Sequence, residues 1–406
     1  MTPRNTDPVS SISPLAMTLI LGLLSGLGPF STDLYLASMP DIGVSLHATP
    51  AQVQLTISFY LIGFAVGQVI YGPVSDRYGR KPVLLTAVTI YCIATISCIA
   101  ATSIELLIAS RLLQAIGGCG AIVLSRAIVR DLYSGARAGR EMAVIAMVMG
   151  LAPLIGPILG GVLQTWFGWR SNFVVMAVVG LEAAALVWWY LPETLKLRAT
   201  EMVTPASILR SYRIVLREPS FVAHLLLVTL PYAGLFAWIS GATFVLQDIY
   251  HFTPFGFAVA FTVASACFLL GTSLAAKLVM RYGINAIIGA GSTLLALGGM
   301  MMIVVLALRL DHPFALVASA ALYICGLGLV LPQATAASIS PFPERAGAAS
   351  SLVGFIQQSA ASICGALVGH QLGTSAWPLA VPMALAGCAT LLCWFMTRRV
   401  RATLRH

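Results

Sequence analysis

Charge is scarce in this sequence. Asp, Glu, Lys and Arg make up 9% of its 406 residues, while 59% are hydrophobic and the mean hydropathy is +0.92. Soluble domains are about a quarter charged. A water-soluble globule of this composition would lack polar groups to cover itself, so that class is excluded. What remains is a polytopic membrane protein with lipid against its outer surface. Two chemical signatures are missing as well. None of the eight cysteines (Cys92, Cys98, Cys119, Cys267, Cys325, Cys364, Cys388 and Cys393) stands in a CxxC pair, and all lie in apolar stretches. They read as buried free thiols without a disulfide or metal role. No GxxxxGK[ST] phosphate loop occurs, and no polar stretch is long enough for a nucleotide-binding domain. The six histidines lie mostly near span ends and loops, without the clustered pairs at depth that an intramembrane enzyme would show. No enzyme, metal or cofactor is expected.

A helix needs about 20 mostly apolar residues to cross a ~30 Å hydrocarbon core. On that rule the sequence predicts twelve spans, roughly 15–38, 52–74, 82–101, 104–127, 140–164, 169–190, 220–246, 255–279, 284–308, 313–338, 346–370 and 377–397. The polar N-terminal stretch MTPRNTDPVSSISP leads into an apolar run with no small-x-small cleavage pattern, which reads as the first span. One long polar segment, LKLRATEMVTPASILRSYRIVLREP, divides the spans six and six. The expected organisation is an N-terminal tail (1–14), a six-helix bundle (15–191), a cytoplasmic linker (192–219), a second six-helix bundle (220–397) and a basic tail (398–406).

Lys and Arg concentrate on the cytoplasmic side of membrane proteins. With the N-terminus inside, that side holds Arg4, Arg77, Arg80, Lys81, Arg126, Arg130, Arg137, Arg140, Lys196, Arg198, Arg210, Arg213, Arg217, Lys277, Arg281, Arg345, Arg398, Arg399, Arg401 and Arg405. The other side holds only Arg170 and Arg309. Topology thus accounts for the net charge of +9, and no nucleic-acid partner is expected. The halves also echo each other: SDRYGRK follows span two and VMRYGIN follows span eight. Gly79 and Gly283 lie 204 positions apart (283 − 79), about half the chain, as a duplicated unit would have. The expected fold class is an all-α membrane protein of twelve transmembrane helices in two pseudo-symmetric six-helix halves. It is expected as a monomer in a bacterial inner membrane, with both termini cytoplasmic.

The stretch GPVSDRYGRK, Gly72 to Lys81, breaks the apolar pattern with four charges. Gly72 and Pro73 are expected to end a helix, and Gly79 to allow a tight bend. Arg77, Arg80 and Lys81 follow the charge rule. Asp76 needs another reason, since acids contribute little to that rule. The stretch resembles the signature loop of the major facilitator superfamily. RLLQAIGG (Arg111 to Gly118) resembles that superfamily's span-four motif with an intramembrane Arg, and GLAPLIGPILGG (Gly150 to Gly161) resembles the span-five Gly-Pro motif of exporting antiporters. FSTDLYLASMPDI and AGAASSLVGFIQQ, in spans one and eleven, resemble the bicyclomycin-resistance (Bcr/CflA) subgroup of drug exporters. The resemblance covers nearly the whole chain and implies the major facilitator fold. It also implies a gate, in which Asp76 meets Arg126 or Arg130 and the N-terminus of span eleven only when the inner side is closed. The alternative is a local loop cap. The second-half copy lacks the acid, having Val279 and Met280 before Arg281.

Three charges fall inside spans and away from the charged residues at their ends: Asp33, Arg111 and Glu182. At ~1.5 Å per residue, Asp33 and Arg111 both lie roughly 6–11 Å below the outer boundary, so their depths allow a pair. Charges at such depth face a cavity or one another. Asp33 reads as an interfacial residue or as a proton-exchanging carboxyl facing a central cavity, and the subgroup resemblance implies the latter. In the group it resembles, some drug exporters have a second acid two turns earlier, where this chain has Ser25, and a proline is common where it has Ala37. Arg111 stays protonated. It reads as a partner for backbone carbonyls or, through the resemblance, as a group that makes a nearby acid release its proton. Glu182 reads as a second proton site or as a snorkelling residue.

In span five, Gly156 and Gly160 form GxxxG with Pro157 inside it and Pro153 just before it, flanked by Gly150 and Gly161. Either ordinary close packing or a bent helix sealing the two halves fits this pattern, and the resemblance favours the bend. Tyr35, Tyr60, Gln114, Tyr232, Phe236, Trp238, Phe261, Gln357 and Gln358 are candidates for an aromatic, amide-bearing cavity wall suited to amphipathic compounds. The whole reads as a carrier exchanging small amphipathic drugs, bicyclomycin- or phenicol-like, for protons, driven by the proton gradient. The alternative is a carrier of a metabolite such as an amino acid or sugar.

Overall fold

The computed structural model describes residues 14–133, 135–195, 205–310, 312–342, 345–372 and 375–402. Nearly all of the N-terminal tail, including Arg4, lies outside the described residues, as do Lys196, Arg198 and Arg405. Every regular element among the described residues is helical. Twelve helices are long and apolar enough to cross a membrane. Spans one to six are Leu15–Ser45, Pro50–Tyr78, Arg80–Ile99, Ile104–Leu132, Arg140–Phe167 and Arg170–Tyr190. Spans seven to twelve are Pro219–Ile249, Pro254–Tyr282, Ile284–Ala307, Pro313–Ile339, Ala346–Gln371 and Trp377–Met396. A shorter helix, Pro205–Leu216, connects the two sets.

Local sequence sets the ends of these helices. Thr49 precedes Pro50 and forms a reciprocal cap with Gln52, its hydroxyl accepting from the Gln52 amide at 3.3 Å. Thr253 precedes Pro254 and accepts from the Gly256 amide at 3.0 Å. Both are Thr-Pro starts, with the hydroxyl at the N-cap and proline where its missing N–H costs nothing. At their far ends both helices stop at a glycine of positive φ, Gly79 at 102° and Gly283 at 78°. The starts are separated by the same 204 positions (253 − 49) as the ends.

One detail differs from the sequence expectation. Gly72 and Pro73 do not end span two, whose helix runs through Pro73 to Tyr78. A proline inside a membrane helix is tolerated because neighbouring groups absorb the lost backbone bond. The supposed loop is therefore a single residue, Gly79, and span three begins at Arg80.

Between the first and last six spans, span two packs on span eleven and span five on span eight. The turn and short helix that end span one, Leu36–Ser38 and Met39–Ser45, pack on span seven. Hydrogen bonds across this boundary gather towards the end of the bundle away from the basic residues. Gln247 Nε2 donates to the Ala37 carbonyl at 3.0 Å and Gln54 Nε2 to Ser240 Oγ at 2.9 Å. Among the described residues no such bond joins the span ends on the basic side, where Arg126 and Arg130 are exposed.

Candidate functional site

Asp33 closes the regular helix of span one and is 6% exposed. The backbone beside it is held by span five. A Cβ on Gly156 would stand 3.2 Å from Asp33 Cβ and 3.5 Å from the Leu34 amide nitrogen, and one on Gly160 would overlap the Leu34 carbonyl oxygen. Glycine is required there because two backbones touch. Gly150 and Gly161 face the other way, where Cβ atoms would lie 3.1 Å from Leu269 and 2.8 Å from Ala258 of span eight. The span-five motif therefore has two faces. Gly150 and Gly161 meet the other half, but Gly156 and Gly160 press on span one, which corrects the expectation that the whole motif seals the halves. Pro153 and Pro157 sit within one uninterrupted helix, Gly135–Phe167.

Arg111 is fully buried, yet it forms no ion pair with Asp33. Its guanidinium carbon lies 4.4 Å from the Tyr35 ring centroid, 4.2 Å from that of Tyr60 and 5.9 Å from that of Phe173. Aromatic faces attract a desolvated cation and here replace the carboxylate. One nitrogen, Nη1, donates to Gln114 Oε1, and Gln114 Nε2 passes on to Thr95 Oγ1 at 2.8 Å. Nε and Nη2 have no partner. Tyr35 shares a 2.9 Å bond with Thr56, and Tyr60 donates to the Gly28 carbonyl at 3.1 Å. Tyr35, Tyr60 and Gln114 are thus the buried cage of Arg111 rather than an open cavity wall. Phe173 and Thr95 were not legible as members, since hydropathy does not tell which aromatic or hydroxyl faces inward.

At the basic end, where no hydrogen bond between the halves is found among the described residues, Asp76 has a local partner and meets neither Arg126 nor Arg130. Asp76 accepts from Arg80 Nη1 at 2.6 Å, and Arg80 Nε donates to Asp131 at 2.8 Å. These are the two ion pairs among the described residues. Gly79 turns the chain so that Arg80, four positions on, folds back over the end of span two. Arg130 instead donates to the Arg126 carbonyl at 3.4 Å, and Arg126 lies 3.9 Å from Met149 Sδ. Glu193, just past span six, caps span three by accepting from the amides of Arg80 at 2.9 Å and Lys81 at 3.3 Å. Lys81 Nζ in turn donates to the Trp188 carbonyl at 2.9 Å. Arg77 lies over its neighbour Tyr78 and is exposed, and a Cβ on Gly72 would meet nothing within 4 Å. Asp131 and Glu193 were missed by sequence reasoning; their signal was an acid on a side where only cations were expected.

This cluster makes Arg80 and Arg77 a test pair. Arg80→Gln removes both ion pairs and leaves two partly buried carboxylates without a cation, a loss of about 1.5–3 kcal/mol. Arg77→Gln stays within about 0.5 kcal/mol. Thermal unfolding of the two purified variants in detergent is expected to separate them by several degrees, and coincident curves would contradict the assigned geometry.

A sequence profile of the Major Facilitator Superfamily matches residues 21–365. The chain belongs to this superfamily. It is 30% identical to the bicyclomycin resistance protein homolog of Haemophilus influenzae over 389 residues, covering 95% of this chain and 97% of that one. It is 26% identical to multidrug resistance protein D of Escherichia coli over 378 residues, covering 93% and 94%. Among solved structures, a D-xylose–proton symporter superposes with a TM-score of 0.74 at 14% identity, covering 94% of this chain and 96% of the other. The protein is accordingly a multi-pass membrane transporter, with relatives of the kind that its span-one and span-eleven motifs resemble.

The remaining candidates are distributed over spans six, seven, eight and eleven. Glu182 is exposed, in line with Val174 and Val178 on the outward surface of span six. It does not reach the centre, which corrects its reading as a second proton site. Tyr232 and Phe236 pack against each other on span seven, ring centroids 5.1 Å apart. Trp238 and Phe261 are buried, Gln357 is half-buried and Gln358 is buried. Trp238 Nε1 and Gln358 Oε1 lack partners. A polar lock between spans two and eleven was missed altogether. Ser58 Oγ donates to the Ser362 carbonyl at 3.1 Å and Ser362 Oγ returns a bond to the Ser58 carbonyl at 2.8 Å. Gly365 and Gly369 make room for it, since a Cβ on either would come within 2.7 Å of Gln54.

Proposed function

We propose that this superfamily member exports small amphipathic drugs, of the bicyclomycin or phenicol kind, in exchange for protons by alternating access. The observation that carries the reading is Asp33, a carboxyl-bearing side chain 6% exposed, in neither ion pair among the described residues and backed by the glycine face of span five. A carboxyl in a membrane core with no fixed cation is free to exchange its proton as its surroundings change. Arg111 keeps two nitrogens, Nε and Nη2, without a hydrogen-bond partner, so it can receive a carboxylate in a second conformation and drive the proton off. The lock of Gln54, Ser58, Ser240 and Ser362 is what opening of the far end would break. The Asp76–Arg80–Asp131 group stiffens the basic end of the first six spans.

In the proposed cycle the drug enters from the cytoplasmic, basic side with Asp33 deprotonated. The carrier then opens outward, a proton displaces the drug at or near Asp33, and the inner side opens again. The inward proton gradient of a bacterial inner membrane supplies the energy, with both termini cytoplasmic. Relatives named for bicyclomycin and multidrug resistance support drugs as the cargo. The test is a panel of amphipathic antibiotics on an efflux-deficient bacterium expressing this chain. Susceptibility to at least one of them is expected to fall several-fold. Unchanged susceptibility across the panel, with the protein present in the membrane, would overturn drugs as the cargo.

A further inference from the structure

The helix Pro205–Leu216, PASILRSYRIVL, is too short to cross a membrane: at ~1.5 Å per residue it reaches only about 18 Å. Its residues separate by side. Ile208, Leu209, Tyr212, Val215 and Leu216 recur at helical spacing along one stripe, while Arg210 and Arg213, with Arg217 just beyond the helix, line one edge of it. That is the pattern of a basic amphipathic helix lying in the membrane interface.

The structure divides the stripe in two. Val215 is fully buried, and Tyr212 shares a 2.9 Å hydroxyl bond with Ser351 of span eleven, so this part is docked on protein. Leu209 and Leu216 are left 68% and 42% exposed. Between them and span eleven lies a groove of about 470 Å³, lined by Leu209, Tyr212, Arg213, Leu216, Arg217 and Leu352. Among the described residues its lining includes two arginines and no acidic residue. Neither Arg213 nor Arg217 pairs with a described acid, and Glu218, the next residue, is exposed outside the lining.

We propose that this groove is a binding site for an anionic phospholipid, with an acyl chain along Leu209, Leu216 and Leu352 and the headgroup phosphate on Arg213 and Arg217. Three features select this occupant. The helix is basic and amphipathic and lies at the basic end of a membrane protein, the pattern of a helix seated in the lipid interface. The groove joins apolar floor to cationic rim, which matches the join of acyl chain and phosphate. Arginine presents paired N–H groups that fit phosphate oxygens, and a net negative headgroup meets no opposing acid among the described lining residues. A lipid seated there would tie the connecting helix to Ser351 and Leu352 near the start of span eleven, and so would link bilayer composition to the spacing of the two halves.

The test uses the full chain, purified in detergent, with native mass spectrometry counting retained phosphatidylglycerol against phosphatidylcholine. Phosphatidylglycerol is expected to be retained preferentially. The preference should fall roughly fivefold for each arginine removed in Arg213→Gln and Arg217→Gln, as one kcal/mol per cation implies. The charge-preserving pair Arg213→Lys and Arg217→Lys is expected to keep most of it, which shows that the glutamine variants lost a headgroup contact and not the fold. A charge-matched control, Lys277→Gln with Arg281→Gln on span eight, should leave it unchanged. Equal retention of the two lipids, an equal loss in the control, or displacement of the lipid by millimolar inorganic phosphate would each overturn the proposal. The last two outcomes identify diffuse surface charge and a free-anion site in its place.

Discussion

Asp33→Asn is expected to abolish proton-driven export while leaving the protein folded and in the membrane. Asparagine has nearly the shape of aspartate but carries no exchangeable acid proton. Asp33 takes part in neither ion pair among the described residues, so the variant loses no ionic contact there. Its stability should stay within about 1 kcal/mol of the wild type, the range of changes that break no buried network. Coupling has no such reserve, because the helix Pro14–Asp33 that carries this carboxyl holds no second acid. Resistance conferred by the chain should fall to the level of cells without it, with membrane abundance unchanged. Full resistance in the Asn variant would remove Asp33 from the mechanism.

The second large effect is at Gly160. On helix propensity alone, alanine for a helical glycine gains about 1 kcal/mol. At Gly160 the added Cβ would overlap the Leu34 carbonyl oxygen, a backbone atom with no rotamer to move aside. Overpacking of this kind costs about 1–3 kcal/mol or more and outweighs the propensity gain. The displaced backbone is also the one that carries Asp33, so Gly160→Ala should lose export as well as stability. Gly72→Ala is the contrast. It too lies within a helix, but its Cβ would meet nothing within 4 Å, so propensity acts unopposed. Thermal unfolding in detergent is expected to place Gly160→Ala below the wild type and Gly72→Ala at or above it. The reverse order would contradict the contact between spans one and five.

These two glycines show where sequence reading succeeds and where it stops. The twelve spans were legible because hydrocarbon thickness fixes their length whatever the protein packs against. Gly79 was legible as a bend because few other residues adopt its φ of 102°. Gly160 was legible as a close-packing glycine, but not as a partner of Leu34, since GxxxG does not name the helix it meets. The same gap explains Asp76. The charge rule marked it as unusual, but choosing Arg80 over Arg126 or Arg130 requires the fold of one turn around Gly79.

Arg111 was picked out by its rarity in a span, while its cage draws Tyr35, Tyr60 and Phe173 from three other spans and has no linear pattern. Glu182 failed for a different reason. Span six is apolar nearly all round, so no stripe told which way its acid would face. The serines of the polar lock, Ser58, Ser240 and Ser362, are small enough to leave hydropathy unmoved, and their hydrogen bonds join residues far apart in the chain.

The central claim is that proton exchange at one buried carboxyl drives the cargo outward. Its most direct test is purified protein in liposomes, loaded with a transported drug and given a pH difference that can be collapsed at will. Drug should move against its gradient only while the pH difference stands, with protons flowing the opposite way, and Asp33→Asn liposomes should do neither. Uphill transport that continues at the same rate with the pH difference abolished, and no other ion gradient supplied, would contradict the account.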